Sequence, residues 1–128
     1  MIKGFGEFFV MVTQITVEEA KARLEAGTAI FLDVREKEEV EFASVKPFTW
    51  IPMTELAARK DELPKDKEII CICRSGSRSG GAAEFLCENG FRAVNMRGGL
   101  LEWGRKIDPK VRAYVYSYAE NKIRIKEL

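Results

Sequence analysis

The chain has 128 residues, 46% of them hydrophobic and 32% charged, with a net charge of +1; that is enough for one domain with a real core and too short for two comfortable ones. A balance so near neutral leaves no footprint for nucleic acid or for an anionic membrane, so any charge-based function must be local. Three cysteines and no histidine argue for a reducing, cytoplasmic setting rather than a disulfide scaffold, exclude Cys–His activation, and fall short of the roughly four ligands of a zinc site, so neither metal nor cofactor is expected.

Residues 1–13 are apolar but broken by Glu7, and no small-residue cleavage site follows. They are read as an extension, an extra strand or a flap over core surface, rather than a signal peptide or membrane span. Thr16-Val17-Glu18-Glu19 is a capping-box signature, and Gly27 marks the end of the helix it opens. The run from Thr28 to Val34, interrupted only by Asp33, predicts a buried parallel strand. Arg35 to Phe42 reads as a short charged helix with a solvated face. Trp50-Ile51-Pro52 predicts a brief strand, Thr54 caps a helix to about Lys60, and Leu63 to Lys67 is a turn. Glu68 to Cys73 predicts the central strand, followed by a loop and a helix ending at Asn89-Gly90. Phe91 to Met96 is a further strand, and Arg97-Gly98-Gly99 separates it from a helix over Leu100 to Lys106. Strand and helix alternate, which gives an α/β domain over residues 14–108 with a mainly parallel sheet. The tail, residues 109–128, alternates instead and suits an edge strand or hairpin.

In such sheets ligands sit at the C-terminal strand ends. Asp33-Val34-Arg35, the stretch from Cys73 to Gly81, and Arg97-Gly98-Gly99 all fall there. Cys73 opens a loop of small residues that carries Arg74 and Arg78 and leads into a helix. Free backbone N–H groups and a helix N-terminus in that setting favour thiolate over thiol and bind anions. Cys73 is thus the candidate nucleophile. Cys71, two residues earlier on the same strand face, is read as core packing, with a resolving thiol as the alternative. Cys87 is read as core.

Four pieces in order resemble a single-domain rhodanese, the thiosulfate sulfurtransferase-like family. They are Leu32-Asp33-Val34-Arg35, Ile51-Pro52-Met53, Cys73-Arg74-Ser75-Gly76-Ser77-Arg78-Ser79, and Gly98-Gly99-Leu100-Leu101-Glu102-Trp103. The resemblance implies a five-stranded, mainly parallel sheet flanked by helices on both faces. It implies that Cys73 carries sulfane sulfur as a persulfide, cradled by the N–H groups of Arg74, Ser75, Gly76, Ser77, Arg78 and Ser79. Arg74 is placed near an incoming anionic donor such as thiosulfate, Arg78 ties the loop together, and Asp33 and Arg35 support the site. Asp33 is expected to act by capping or supporting the next helix rather than as an active-site acid. The end of the module, Trp103 to Pro109, is similar to rhodanese modules fused to sulfur-carrier-activating enzymes, which implies a sulfur-donor or sulfur-carrier protein as partner. One segment departs from the family pattern. Ala43 to Trp50 lacks the family's histidine and is shorter, and Phe48 or Trp50 is expected to fill the rim there.

Loop length separates this reading from its rivals. Phosphatases of related fold place five residues between cysteine and arginine, whereas four separate Cys73 from Arg78, with Ser79 at the phosphatase arginine position. A tighter ring suits one sulfur atom. A catalytically idle rhodanese-like interaction module and a phosphatase or arsenate-reductase-like enzyme remain the alternatives.

Overall fold

The computed structural model describes residues 11–125; the part of the expected N-terminal extension that precedes Met11 lies outside them. Five strands, β1 (Gln14–Ile15), β2 (Ala29–Asp33), β3 (Thr49–Trp50), β4 (Glu68–Ile72) and β5 (Ala93–Met96), form one parallel sheet in the order β1-β5-β4-β2-β3. Every pairing in it is parallel. The expected α/β architecture is therefore present, with β4 at the centre.

Five helices connect these strands or follow them: α1 (Val17–Glu25), α2 (Lys37–Phe42), α3 (Met53–Arg59), α4 (Ser77–Glu88) and α5 (Gly99–Lys106). Among the described residues no helix is long and apolar enough to cross a membrane. The capping box at Thr16 and Glu19 closes reciprocally, at 3.1 and 2.8 Å, and fixes the start of α1. Gly27 follows its end with φ 76°, a conformation that glycine adopts without a Cβ penalty.

The period of two along β4 divides the core. Ile69, Cys71 and Cys73 face one cluster, with Leu56 of α3 and Ala82, Ala83 and Leu86 of α4. Ile70 and Ile72 face the other, with Val17 and Ala20 of α1 and Leu100 and Trp103 of α5. Helices therefore cover both faces, and Phe31 meets Trp103 edge-on at 5.4 Å between centroids. All five strands point the same way, so Asp33, Cys73 and Arg97 emerge on one edge.

Three local expectations are corrected. Helix α3 starts at Met53 after Pro52, so Thr54 lies inside it rather than capping it. Proline's fixed φ and extended ψ already set the chain up for the turn. Helix α2 begins only at Lys37, with Glu36 as its cap. The charged stretch is not all solvated, because Arg35 just before the helix and Glu39 within it are fully buried; Arg35 pairs with Asp33 two residues away, and Glu39 with Arg78 from a distant segment. Asp33 supports its neighbourhood through Arg35, accepting from its backbone N at 3.1 Å and from its guanidinium at 2.7–3.1 Å. It does not cap α2.

β6 (Tyr114–Ser117) and β7 (Lys122–Ile125) form a separate antiparallel hairpin that adds no strand to the main sheet.

Candidate active site

β4 ends at Ile72, and the chain from Cys73 to Gly76 is a short loop before α4. Gly76 turns the corner with φ 98°, and a Cβ there would stand 3.2 Å from Gly98 N and 3.3 Å from Met96 O. Only glycine suits both the angle and the space. The loop's carbonyls face the start of α5: Leu100 N donates to Cys73 O and Leu101 N to Arg74 O, each at 3.0 Å. One helix N-terminus thus donates to the loop's oxygens and leaves the loop's amides for the cysteine side.

Gly99 makes that contact possible. It has φ 61°, and a Cβ would lie 2.5 Å from Arg74 O and 2.6 Å from Cys73 O. Backbone cannot yield as a flexible side chain does. Gly99→Ala is expected to cost about 1–3 kcal/mol from the positive φ alone, with the clash adding to it. The urea midpoint and the transfer rate should fall together. A variant that loses stability but keeps its rate would show that the Gly99 contact does not shape the loop.

Three donors reach the Cys73 sulfur: Gly76 N at 3.1 Å, Ser79 N at 3.4 Å and Ser79 Oγ at 3.3 Å. Hydrogen-bond donors converging on a sulfur are the complement of a negative charge there. The amides of Ser75, Ser77 and Arg78 meet no protein acceptor among the described residues. Ser75 and Ser77 are exposed.

Ser79 in turn lies 2.5 Å from Asn95 Oδ1, and Asn95 Nδ2 donates to Gly76 O at 2.9 Å and to Gln14 Oε1 at 2.8 Å. Those two bonds orient the amide so that its oxygen faces Ser79. A hydroxyl carries a single proton. With Cys73 as a thiol, its S–H can donate to Ser79 Oγ while Ser79 donates to Asn95; with a thiolate, the hydroxyl proton can turn to sulfur. The sequence reading missed Asn95. Its signal was a polar residue inside an otherwise apolar strand, Ala93-Val94-Asn95-Met96.

The arginines are held by protein partners. Arg78 forms a fork with Glu39, at 2.7 and 2.9 Å. Arg35 pairs with Asp33, both fully buried, and also donates to Tyr114 Oη at 2.9 Å and Ala43 O at 2.7 Å. Tyr114 Oη donates onward to Glu39 Oε2 at 2.7 Å. Burial pushes the Glu39 carboxyl up, but the bonds from Arg78 and Tyr114 more than offset this and leave it below its ordinary value. Burial, more than the neighbouring charges, raises the Tyr114 phenol. Arg74 alone of the three has no carboxylate partner among the described residues; its Nε donates to Tyr114 O at 2.5 Å.

Glu39 and Tyr114 were also missed by sequence reading. Nothing in Glu36-Lys37-Glu38-Glu39-Val40-Glu41 distinguishes the one buried acid from the exposed ones. Tyr114 looked like one member of an alternating tail.

Cys71 is fully buried in the apolar cluster against α4, and burial pushes its thiol up, which is what a core residue requires rather than a nucleophile. Cys87 donates to Ala93 O at 3.3 Å. In the departing segment Trp50 Nε1 donates to Arg35 O at 2.9 Å, so Trp50 is attached at the site edge, whereas Phe48 packs with the cluster on the opposite face. Among the described residues no group of three metal-ligating side chains is assembled.

The chain also resembles known proteins over most of its length. The Rhodanese-like domain model matches residues 16–106. The Bacillus subtilis protein YtwF is 37% identical over 100 residues, which span 77% of this chain and 97% of that protein. An Allochromatium vinosum protein named as a sulfurtransferase is 33% identical over 97 residues, covering 74% of this chain and 91% of its own length. The crystal structure of a rhodanese-related protein from Thermoplasma volcanium superposes with a TM-score of 0.70 at 32% identity, over 74% of this chain and 93% of that one. With the family model spanning most of the chain and relatives at 33–37% identity matched along most of their own length, this protein belongs to the rhodanese-like family.

Proposed function

We propose that this chain is a sulfurtransferase that carries sulfane sulfur as a persulfide on Cys73 and passes it from a donor to a thiophilic acceptor. The observation that carries this reading is the convergence of Gly76 N, Ser79 N and Ser79 Oγ on one buried sulfur, beside three further amides without a protein acceptor among the described residues. The first set suits a thiolate. The amides of Ser75, Ser77 and Arg78 are candidates to hold the terminal sulfur anion once it is loaded.

The reaction takes two displacements. The Cys73 thiolate attacks the outer sulfur of thiosulfate; the S–S bond of the donor breaks, sulfite leaves with the bonding pair, and Cys73–S–S⁻ forms. A nucleophile such as cyanide or a thiolate then attacks the terminal sulfur, and Cys73 departs as thiolate. No net redox partner is needed. A protein persulfide serves equally as donor, with its own thiolate as leaving group. The fork from Arg78 to Glu39 keeps Arg78 beside the loop but neutralised, so of the two loop arginines Arg74, without a carboxylate partner among the described residues, is the one to meet an anionic donor. Ser79 stands where a phosphatase would carry its anion-chelating arginine, which supports sulfur over phosphate. The three free cysteines fit a reducing, cytoplasmic setting.

Initial rates with thiosulfate and cyanide varied together test the sequence of steps. Parallel double-reciprocal lines are expected, because sulfite leaves before the acceptor binds. Intersecting lines would mean direct transfer without a Cys73 intermediate.

A further inference from the structure

The matched module ends at residue 106, yet the hairpin beyond it reaches into the arginine network. Tyr114 is 1% exposed. Its hydroxyl bridges Arg35 and Glu39, its ring meets Phe42 edge-on at 5.6 Å, and its carbonyl accepts from Arg74. The Arg74 guanidinium also lies 5.7 Å from the Tyr114 ring centroid. Four residues on, the ring of Tyr118 stands 5.7 Å from the Arg78 guanidinium. Both arginines of the Cys73 loop are thus engaged by one hairpin, one next to the cysteine and one at the start of α4.

Cys73 itself is 0% exposed. A nucleophile must meet the donor's sulfur, so this closed arrangement has to open during turnover. The hairpin is the element that engages both arginines beside the cysteine. It shares no ladder with the main sheet, and Tyr118 at its turn is 57% exposed. An anionic donor also has the means to move it. A sulfonate or persulfide competes with the Tyr114 carbonyl for Arg74, and a charged acceptor makes the stronger hydrogen bond to a guanidinium.

We propose that the C-terminal hairpin is a cap on the Cys73 loop, and that Tyr114 and Tyr118 determine which donors reach the sulfur. Resting on the sulfurtransferase reading, it names the selected class: anionic sulfur donors that can take Arg74 from the hairpin. Neutral reagents lack that means and meet a closed site. Tyr114 acts as a positioning residue, since it holds Arg74 directly and Arg78 through Glu39.

Alkylation of the full chain by neutral iodoacetamide, with each cysteine followed by peptide mapping, tests this without requiring sulfur transfer. The expected result is slow modification of Cys73 in the parent. It should be accelerated about tenfold in Tyr114→Phe, which loses hydrogen bonds to two charged groups, and several-fold in Tyr118→Ala. Cys71 should stay unreactive, and the KM for thiosulfate should fall in Tyr118→Ala. Tyr118 is exposed, so that variant reports even if Tyr114→Phe folds poorly. Unchanged Cys73 rates in both variants overturn the proposal, as does an acceleration shared by Cys71, which marks general loosening. Failure of the parent to take up sulfur from thiosulfate while these alkylation rates respond would overturn the sulfurtransferase reading instead.

Discussion

Cys73→Ser is expected to abolish sulfur transfer, by roughly a thousandfold or more, while leaving the fold close to its original stability. The two halves have separate causes. A serine hydroxyl at this depth is a poor nucleophile and forms no persulfide, so the covalent route closes. The oxygen can nevertheless accept from Gly76 N and Ser79 N, the same donors that now reach sulfur at 3.1 and 3.4 Å, so no buried amide is orphaned. Cys71→Ser is the matched control. That residue sits in an apolar cluster with Leu32, Ala83 and Leu86, and a hydroxyl there is expected to cost about 1–3 kcal/mol with transfer retained. Steady-state rates and urea unfolding of the two variants should give opposite patterns. Transfer surviving in Cys73→Ser and vanishing in Cys71→Ser would reassign the nucleophile.

Glu39→Ala is expected to be strongly destabilising. The carboxylate has 0% side-chain exposure and accepts from Arg78 and Tyr114. Removing one partner of a buried pair costs about 3–5 kcal/mol, against a total of about 5–15 kcal/mol for a typical domain. The Arg78 side chain is 25% exposed and can turn toward water, which places the loss near the lower end. Glu39→Gln keeps the shape and loses the charge, so its loss should be smaller.

The pH dependence follows from the direction of the shift. The folded Glu39 carboxyl lies below its ordinary value, so its contribution is complete above the unfolded value of about 4.3 and disappears as the pH falls through the folded one. The stability gap between the parent and Glu39→Gln, read from urea midpoints, should therefore be widest near neutrality and shrink below pH about 4. A gap that stays constant into acid would mean that the charge contributes nothing and only the shape matters.

What the sequence disclosed was what short-range chemistry encodes. The capping box at Thr16, the apolar run of β2, the glycine at the mouth of α4 and the cysteine loop are each written in consecutive residues. Their alternation was enough for the parallel sheet and for the edge that carries the candidate site. What it did not disclose depends on pairs far apart in the chain. Glu39 meets Arg78 across 39 positions and Tyr114 across 75, so its burial could not be read from a run of acids. Arg78 was expected to tie the loop together; that its carboxylate partner is Glu39, in a helix far back in the chain, had no local signal. Asn95 was hidden because a strand pattern says which residues are apolar, not which polar one is retained to orient a serine. The attachment of the tail to Arg74 and Arg78 lies between segments about 40 residues apart, beyond any local signal.

The most direct test of the persulfide account is the intact mass of the chain after incubation with thiosulfate and removal of excess donor. One added sulfur is expected, located on the peptide containing Cys73, lost on treatment with cyanide and absent from Cys73→Ser. A folded chain that gains no sulfur, or that gains it equally in Cys73→Ser, would contradict the account.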